Sequence, residues 1–122
     1  GLQVHGYPNM FTTGAPLAPS AALCNMTTCL QQQAEWINDC IAHVCKSGKG
    51  VIEPSETVQD DWVQHHDDTA NATLVSKTNS WYMGSNVEGK PRRLLSYIGG
   101  VGTYRDKCRE VAHSNYKGFE LK

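Results

Sequence analysis

From Asn25 onward, Met26, Leu30, Ile37, Ile41 and Val44 recur at helical spacing, while Gln31, Gln32, Glu35 and Asp39 fall on other faces. That period belongs to an amphipathic helix and not to a strand, and it restricts the chain more than any other feature. It predicts a helix over 26–45, N-capped by Asn25 or a nearby Thr and ended by Gly48. Ahead of it, Phe11-Thr12-Thr13 is a short β-prone stretch after the Tyr7-Pro8-Asn9 turn. Two prolines then forbid regular structure in Gly14-Ala15-Pro16-Leu17-Ala18-Pro19-Ser20. A strand, a constrained loop and a helix start can present backbone N–H groups and the positive helix end to an anionic or electron-rich ligand. Most such turns in α/β proteins bind nothing, so the order alone names no ligand.

A second helix is expected after Pro54, with Ser55 or Thr57 at its cap and Val58, Trp62, Ala70 and Leu74 as a sparse inner stripe. The run His65-His66-Asp67-Asp68 reads as a solvated polar face, because adjacent helical residues point in different directions and no i, i+4 His pair exists to hold a metal. Beyond Lys77 the helical pattern stops. The stretch from Thr78 to Arg92 is rich in turn residues yet carries Trp81, Tyr82 and Met83. A long loop with such side chains either serves function or plugs a neighbouring surface. Leu94-Leu95-Ser96-Tyr97-Ile98 reads as a short buried strand, followed by Gly99-Gly100 and a last helix capped by Thr103. Arg105 stands where a dinucleotide fingerprint would need its third glycine, so this is a tight turn rather than a phosphate loop.

Five cysteines, Cys24, Cys29, Cys40, Cys45 and Cys108, are an odd count in a chain of 122 residues, long enough for its own core. Reduced thiols packed as small hydrophobes are expected, without metal, because Cys-x4-Cys is not zinc spacing. A net charge of −1 offers no basic excess for nucleic acid, and no apolar run approaches the length of a membrane span. A soluble, cytoplasmic protein is the expectation.

Several segments together resemble one family. They are Gly6-Tyr7-Pro8-Asn9-Met10-Phe11, Ala18-Pro19-Ser20, Asn25-Met26, Gln33-Ala34-Glu35-Trp36-Ile37 and Ile52-Glu53-Pro54. Ser80-Trp81-Tyr82-Met83-Gly84-Ser85-Asn86-Val87-Glu88-Gly89-Lys90-Pro91-Arg92, Tyr97-Ile98-Gly99-Gly100 and Tyr116-Lys117-Gly118-Phe119 continue the series. In order and spacing they are similar to the C-terminal portion of the type I Baeyer–Villiger monooxygenases.

The resemblance implies an α/β flavoprotein with two dinucleotide-binding domains. The present piece would consist mostly of helices with a few short strands and long loops. Residues 1–46 would end the FAD-binding domain, and 47–122 would form a C-terminal helical segment with an active-site loop at 77–93. The implied reaction uses FAD, NADPH and O2 to convert a ketone to an ester or lactone, and the implied partners are upstream FAD and NADP domains. Met26 matches the segment that lies against the flavin. Ala21, Ala22 and Leu23 match a bulge beside the substrate pocket, and Trp81 matches the residue that closes over NADP. No catalytic residue falls within this stretch, so the piece is expected to be inactive in isolation. Trp36 is expected to face a missing domain. The loop Gly14-Ala15-Pro16-Leu17-Ala18-Pro19 is one residue longer than the family pattern. The other reading is a stand-alone interaction module that kept the sequence without the chemistry.

Overall fold

The first helix, α1, spans Met26–Lys46 in a computed structural model that describes every residue of Gly1–Lys122. Asn25 caps it with extended backbone, and its Oδ1 accepts the Thr28 N–H at 3.3 Å. At the far end Ser47 closes the last turn, and Gly48 takes a φ of +70° to leave it. The buried stripe is Cys29, Gln33, Trp36, Cys40 and Val44. It lies to one side of the aliphatic stripe predicted, and Ile41 is exposed. Gln33 is buried with its Oε1 accepting the Gly14 N–H at 2.8 Å and its Nε2 without a partner.

After α1, β1 (Ile52–Pro54) pairs antiparallel with β2 (Phe119–Leu121), Ile52 opposite Leu121 and Pro54 opposite Phe119. The Tyr7-Pro8-Asn9 turn docks on β1. Asn9 takes a φ of +58°, which its short polar side chain tolerates, and its Oδ1 accepts the Ile52 N–H at 3.0 Å. Its own N–H and Nδ2 donate to the carbonyls of Ile52 and Gly50.

The two stretches predicted as strands, 11–13 and 94–98, are irregular instead. For the second the reason is its partners. The Leu95 N–H donates to the Tyr82 carbonyl at 2.8 Å, while the Leu95 carbonyl accepts from Leu17 and the Tyr97 N–H donates to Ala18. Single bonds to separate segments on two sides satisfy the backbone without building a ladder.

Helix α2 covers Glu56–Asn71, with the Ser55 hydroxyl accepting the Val58 N–H. Helix α3 covers Val101–His113 and starts directly after Gly100, two residues before the predicted Thr103 cap. The turn into α3 needs Gly99, since a Cβ there would run into the Tyr97 side chain.

One core joins Leu2, Ala18, Trp36, Cys40, Val44, Ile52, Tyr97, Tyr104, Cys108 and Tyr116. Trp36 lies within it rather than facing outward: it is 8% exposed, and its indole N–H donates to the Cys108 carbonyl at 2.8 Å. Its ring meets Tyr116 edge-on at 5.5 Å. A satellite cluster of Ala70, Met83 and Leu94, flanked by Val75, Tyr82 and Ile98, fastens the 77–93 loop to α2. The cysteines differ from the expectation of five free thiols. Cys24 and Cys29 are joined across the turn into α1, where five residues of separation bring their Cα atoms to 6.8 Å. Cys40 and Cys108 are buried and free, and Cys45 is exposed.

Candidate functional site

The loop between α2 and α3 is built around a 3-10 turn at Trp81–Met83. The Ser80 hydroxyl accepts the Tyr82 N–H at 3.2 Å, and the Ser85 hydroxyl donates to the Ser80 carbonyl at 2.7 Å. Gly84 ends the turn at a φ of +69°, in the left-handed region that glycine enters freely. Residues 93–95 splint the turn from the other side, through Arg93 N–H to Met83 O at 3.2 Å and Leu95 N–H to Tyr82 O at 2.8 Å. Met83 thus points inward at 5% exposure and Trp81 outward at 59%.

The three tryptophans are employed differently. The indole N–H of Trp36 goes to Cys108 O, and that of Trp62 to Leu17 O at 3.2 Å. Trp81 has no acceptor within the chain and stacks one face on Tyr82, centroids 4.1 Å apart. A free donor on a rigid, half-uncovered apolar plate suits the flat, polar-edged face of a nucleotide cofactor.

Ala21, Ala22 and Leu23 form the exposed turn that precedes α1, held by the N–H groups of Leu23 and Cys24 on the Ser20 carbonyl. Met26 opens α1 and is half-buried, its methyl group close against Gly14. Asn25 satisfies the Thr28 N–H, which leaves those of Met26 and Thr27 in a first turn that lacks any acidic side chain. The positive end of the helix dipole is therefore available to an electron-rich group.

Segment 93–97 links the two halves of this set. It holds the Trp81 turn on one side. On the other, the Tyr97 N–H donates to Ala18 O at 3.0 Å, the Leu17 N–H to Leu95 O at 2.7 Å, and the Ser96 hydroxyl bonds that of Ser20.

Sequence reasoning missed His66, which is fully buried with Nε2 2.6 Å from the Leu94 carbonyl oxygen. The signal was present, since His66 falls midway between Trp62 and Ala70 on the predicted inner stripe. His65 is half-buried, its Nε2 2.9 Å from the Tyr97 hydroxyl. No cluster of three His, Cys, Asp or Glu side chains could hold a metal. One cavity, of about 620 Å³ and lined chiefly by apolar groups such as Val4, Trp62, Tyr104 and Val111, touches none of Ala21, Ala22, Leu23, Met26 and Trp81. No helix is long and apolar enough to cross a membrane.

No family model matches the chain. It is 67% identical over 121 residues to acetone monooxygenase (methyl acetate-forming) of Gordonia sp. (strain TY-5), an alignment covering 99% of this chain and 23% of that protein. Among solved structures it is similar to OTEMO in complex with FAD and NADP, at 33% identity and a TM-score of 0.88 over all of this chain and 22% of that one. It also resembles the closed form of cyclohexanone monooxygenase, at 36% identity and a TM-score of 0.92 over all of this chain and 22% of that one. For the open form of that enzyme the TM-score is 0.79, at 30% identity over all of this chain and 20% of that one. Along its whole length the chain is thus similar to one stretch of Baeyer–Villiger monooxygenases, and its helices and short sheet match their C-terminal portion. It spans about a fifth of the length of the relatives it matches.

Proposed function

We propose that this segment serves as one part of a longer, FAD- and NADPH-dependent Baeyer–Villiger monooxygenase that inserts one oxygen atom of O2 beside a ketone carbonyl to give an ester or lactone. The observation that carries the reading is Trp81, the one tryptophan whose ring is open and whose N–H is unclaimed, on a turn strapped down from both sides. Similarity to a structure in complex with FAD and NADP supports it.

Bound FAD and NADPH would supply the redox chemistry. The chain's own part is to bind, orient and exclude water. Met26 and Thr27 offer first-turn N–H groups to the flavin. Trp81 covers the nicotinamide cofactor and keeps solvent out, and Ala21, Ala22 and Leu23 shape one wall for the ketone. In this reading residues 1–46 close the FAD-binding domain and 47–122 form the helical segment with the 77–93 loop. The partners are the FAD and NADP domains of the same enzyme, and the segment alone is inactive because none of its side chains acts on the reacting atoms.

Trp81→Ala in the full-length enzyme tests the reading. Losing the plate and the donor is expected to raise KM for NADPH roughly tenfold, the worth of about one good buried contact, while FAD stays bound. Unchanged NADPH kinetics and unchanged turnover across a ketone panel would refute the role of Trp81.

A further inference from the structure

His66 is a buried titratable group to which the reading above gives no task. Its side chain is 0% exposed on the inner stripe of α2. Leu94 O only accepts, so Nε2 must carry the hydrogen of the 2.6 Å contact. In the neutral ring Nδ1 is then bare, and it is buried with no partner. Protonation would bury both a charge and a second N–H without an acceptor.

Leu94 sits between Arg93 and Leu95, the two residues whose N–H groups hold the carbonyls of Met83 and Tyr82. The grip of His66 therefore falls on the middle of the splint that carries the Trp81 turn. A second tie runs from the Arg93 guanidinium to Asp67 at 3.0 Å, but both side chains are partly exposed and such pairs contribute little. The buried bond is the stronger of the two.

We propose that neutral His66 is a positioning residue for the Trp81 loop: its bond to the Leu94 carbonyl fixes residues 93–95 on α2, and protonation of His66 releases them. The consequence for cofactor binding rests on the reading of Trp81 given above. The groups that face His66 are Asp67 on its own helix and Arg93 and Tyr97 on the splint. Burial dominates and lowers the pKa of His66. The Leu94 bond and Asp67 oppose it, and Arg93 reinforces it. A folded-state value below the unfolded one means the anchored state is fully favoured above the unfolded pKa and is lost as pH falls through the folded one.

The experiment compares wild type, His66→Gln and His66→Leu in the full-length enzyme. Gln keeps an N–H donor that does not titrate, and Leu has none. Tryptic cleavage after Arg92 and Arg93 reads release of the loop, and taking the ratio of wild type to His66→Gln at each pH cancels trypsin's own pH dependence. Equal rates are expected at about pH 8, with wild type cut roughly fourfold faster than His66→Gln near pH 6, where a released histidine is mostly protonated. The Leu variant is expected to be cut roughly tenfold faster than wild type at about pH 8, with KM for NADPH raised in Leu and restored in Gln. A ratio flat with pH, or a Leu variant cut no faster than wild type, overturns the proposal. Should the Leu variant fail to fold, the pH arm with Gln still decides. Cleavage as expected with an unchanged KM upholds the anchor and refutes the role of Trp81 instead.

Discussion

Replacing Trp36 by Phe isolates what one indole contributes at the junction of α1, α3 and β2. The ring is 8% exposed, donates 2.8 Å to Cys108 O, and touches Tyr116 and Phe119 at centroid distances of 5.5 and 6.4 Å. Phe keeps an aromatic edge for Tyr116 and removes two things. Loss of the buried donor costs about 1 kcal/mol. The missing five-membered ring leaves a void that costs about 1–2 kcal/mol more, because the surrounding helices relax only in part. The total of about 2–3 kcal/mol corresponds to roughly 30- to 150-fold in the opening equilibrium. Native-state hydrogen exchange on peptides of the full-length enzyme covering α1 and α3 reads this directly, without requiring a large multidomain protein to unfold in two states. Acceleration confined to those helices is expected, and Trp81→Ala serves as the control that leaves them unchanged. If α1 and α3 exchange at wild-type rates in Trp36→Phe, the indole does not hold them together and the core described above is misassigned.

Gly118→Ala is expected to cost about 1–3 kcal/mol, because Gly118 has a φ of +89° and a Cβ there would run into Val58. Exchange of the strand amides at 52, 53 and 119–121 measures it, and unchanged protection would contradict the turn. The thiols should separate by alkylation of the 122-residue chain at about pH 8. Exposed Cys45 reacts, whereas Cys40 is fully buried with its pKa pushed up to about 11 by burial, so that roughly one molecule in a thousand carries the thiolate. Equal labelling of Cys40 and Cys45 without denaturant would argue against the packing of α1.

Where the chain's instructions are local, they could be read. Asn25 and Ser55 announce helix starts because each supplies its own hydroxyl or amide oxygen to an N–H three residues on. The short sheet could not be read, because Ile52 becomes a strand residue only through Leu121, and no local pattern marks three-residue strands. The buried face of α1 was displaced for a related reason. Gln33 counts as polar until Gly14 binds its oxygen, and Cys29, Cys40 and Trp36 carry less weight in an aliphatic pattern than Ile41, which is exposed. His66 was lost the same way, as a polar name on an apolar stripe. Among the site residues, sequence alone could not tell Trp81 from Trp36 or Trp62. What distinguishes it is a hydrogen bond it does not make, and that is a property of the folded surroundings.

The irregularity of 93–97 has a functional consequence that a regular strand would not have. A strand built into a ladder would share its bonds with one continuous neighbour and hold itself rigid. Here the N–H groups of Arg93 and Leu95 go to the Trp81 turn, while the Leu95 carbonyl, the Tyr97 N–H and the Ser96 hydroxyl go to residues 17–20, just before the turn of Ala21, Ala22 and Leu23. The proposed NADP cover and the proposed ketone wall are thus tied to opposite edges of the same five residues. A shift of the Trp81 turn cannot leave the 17–20 loop unstrained unless one of these bonds breaks.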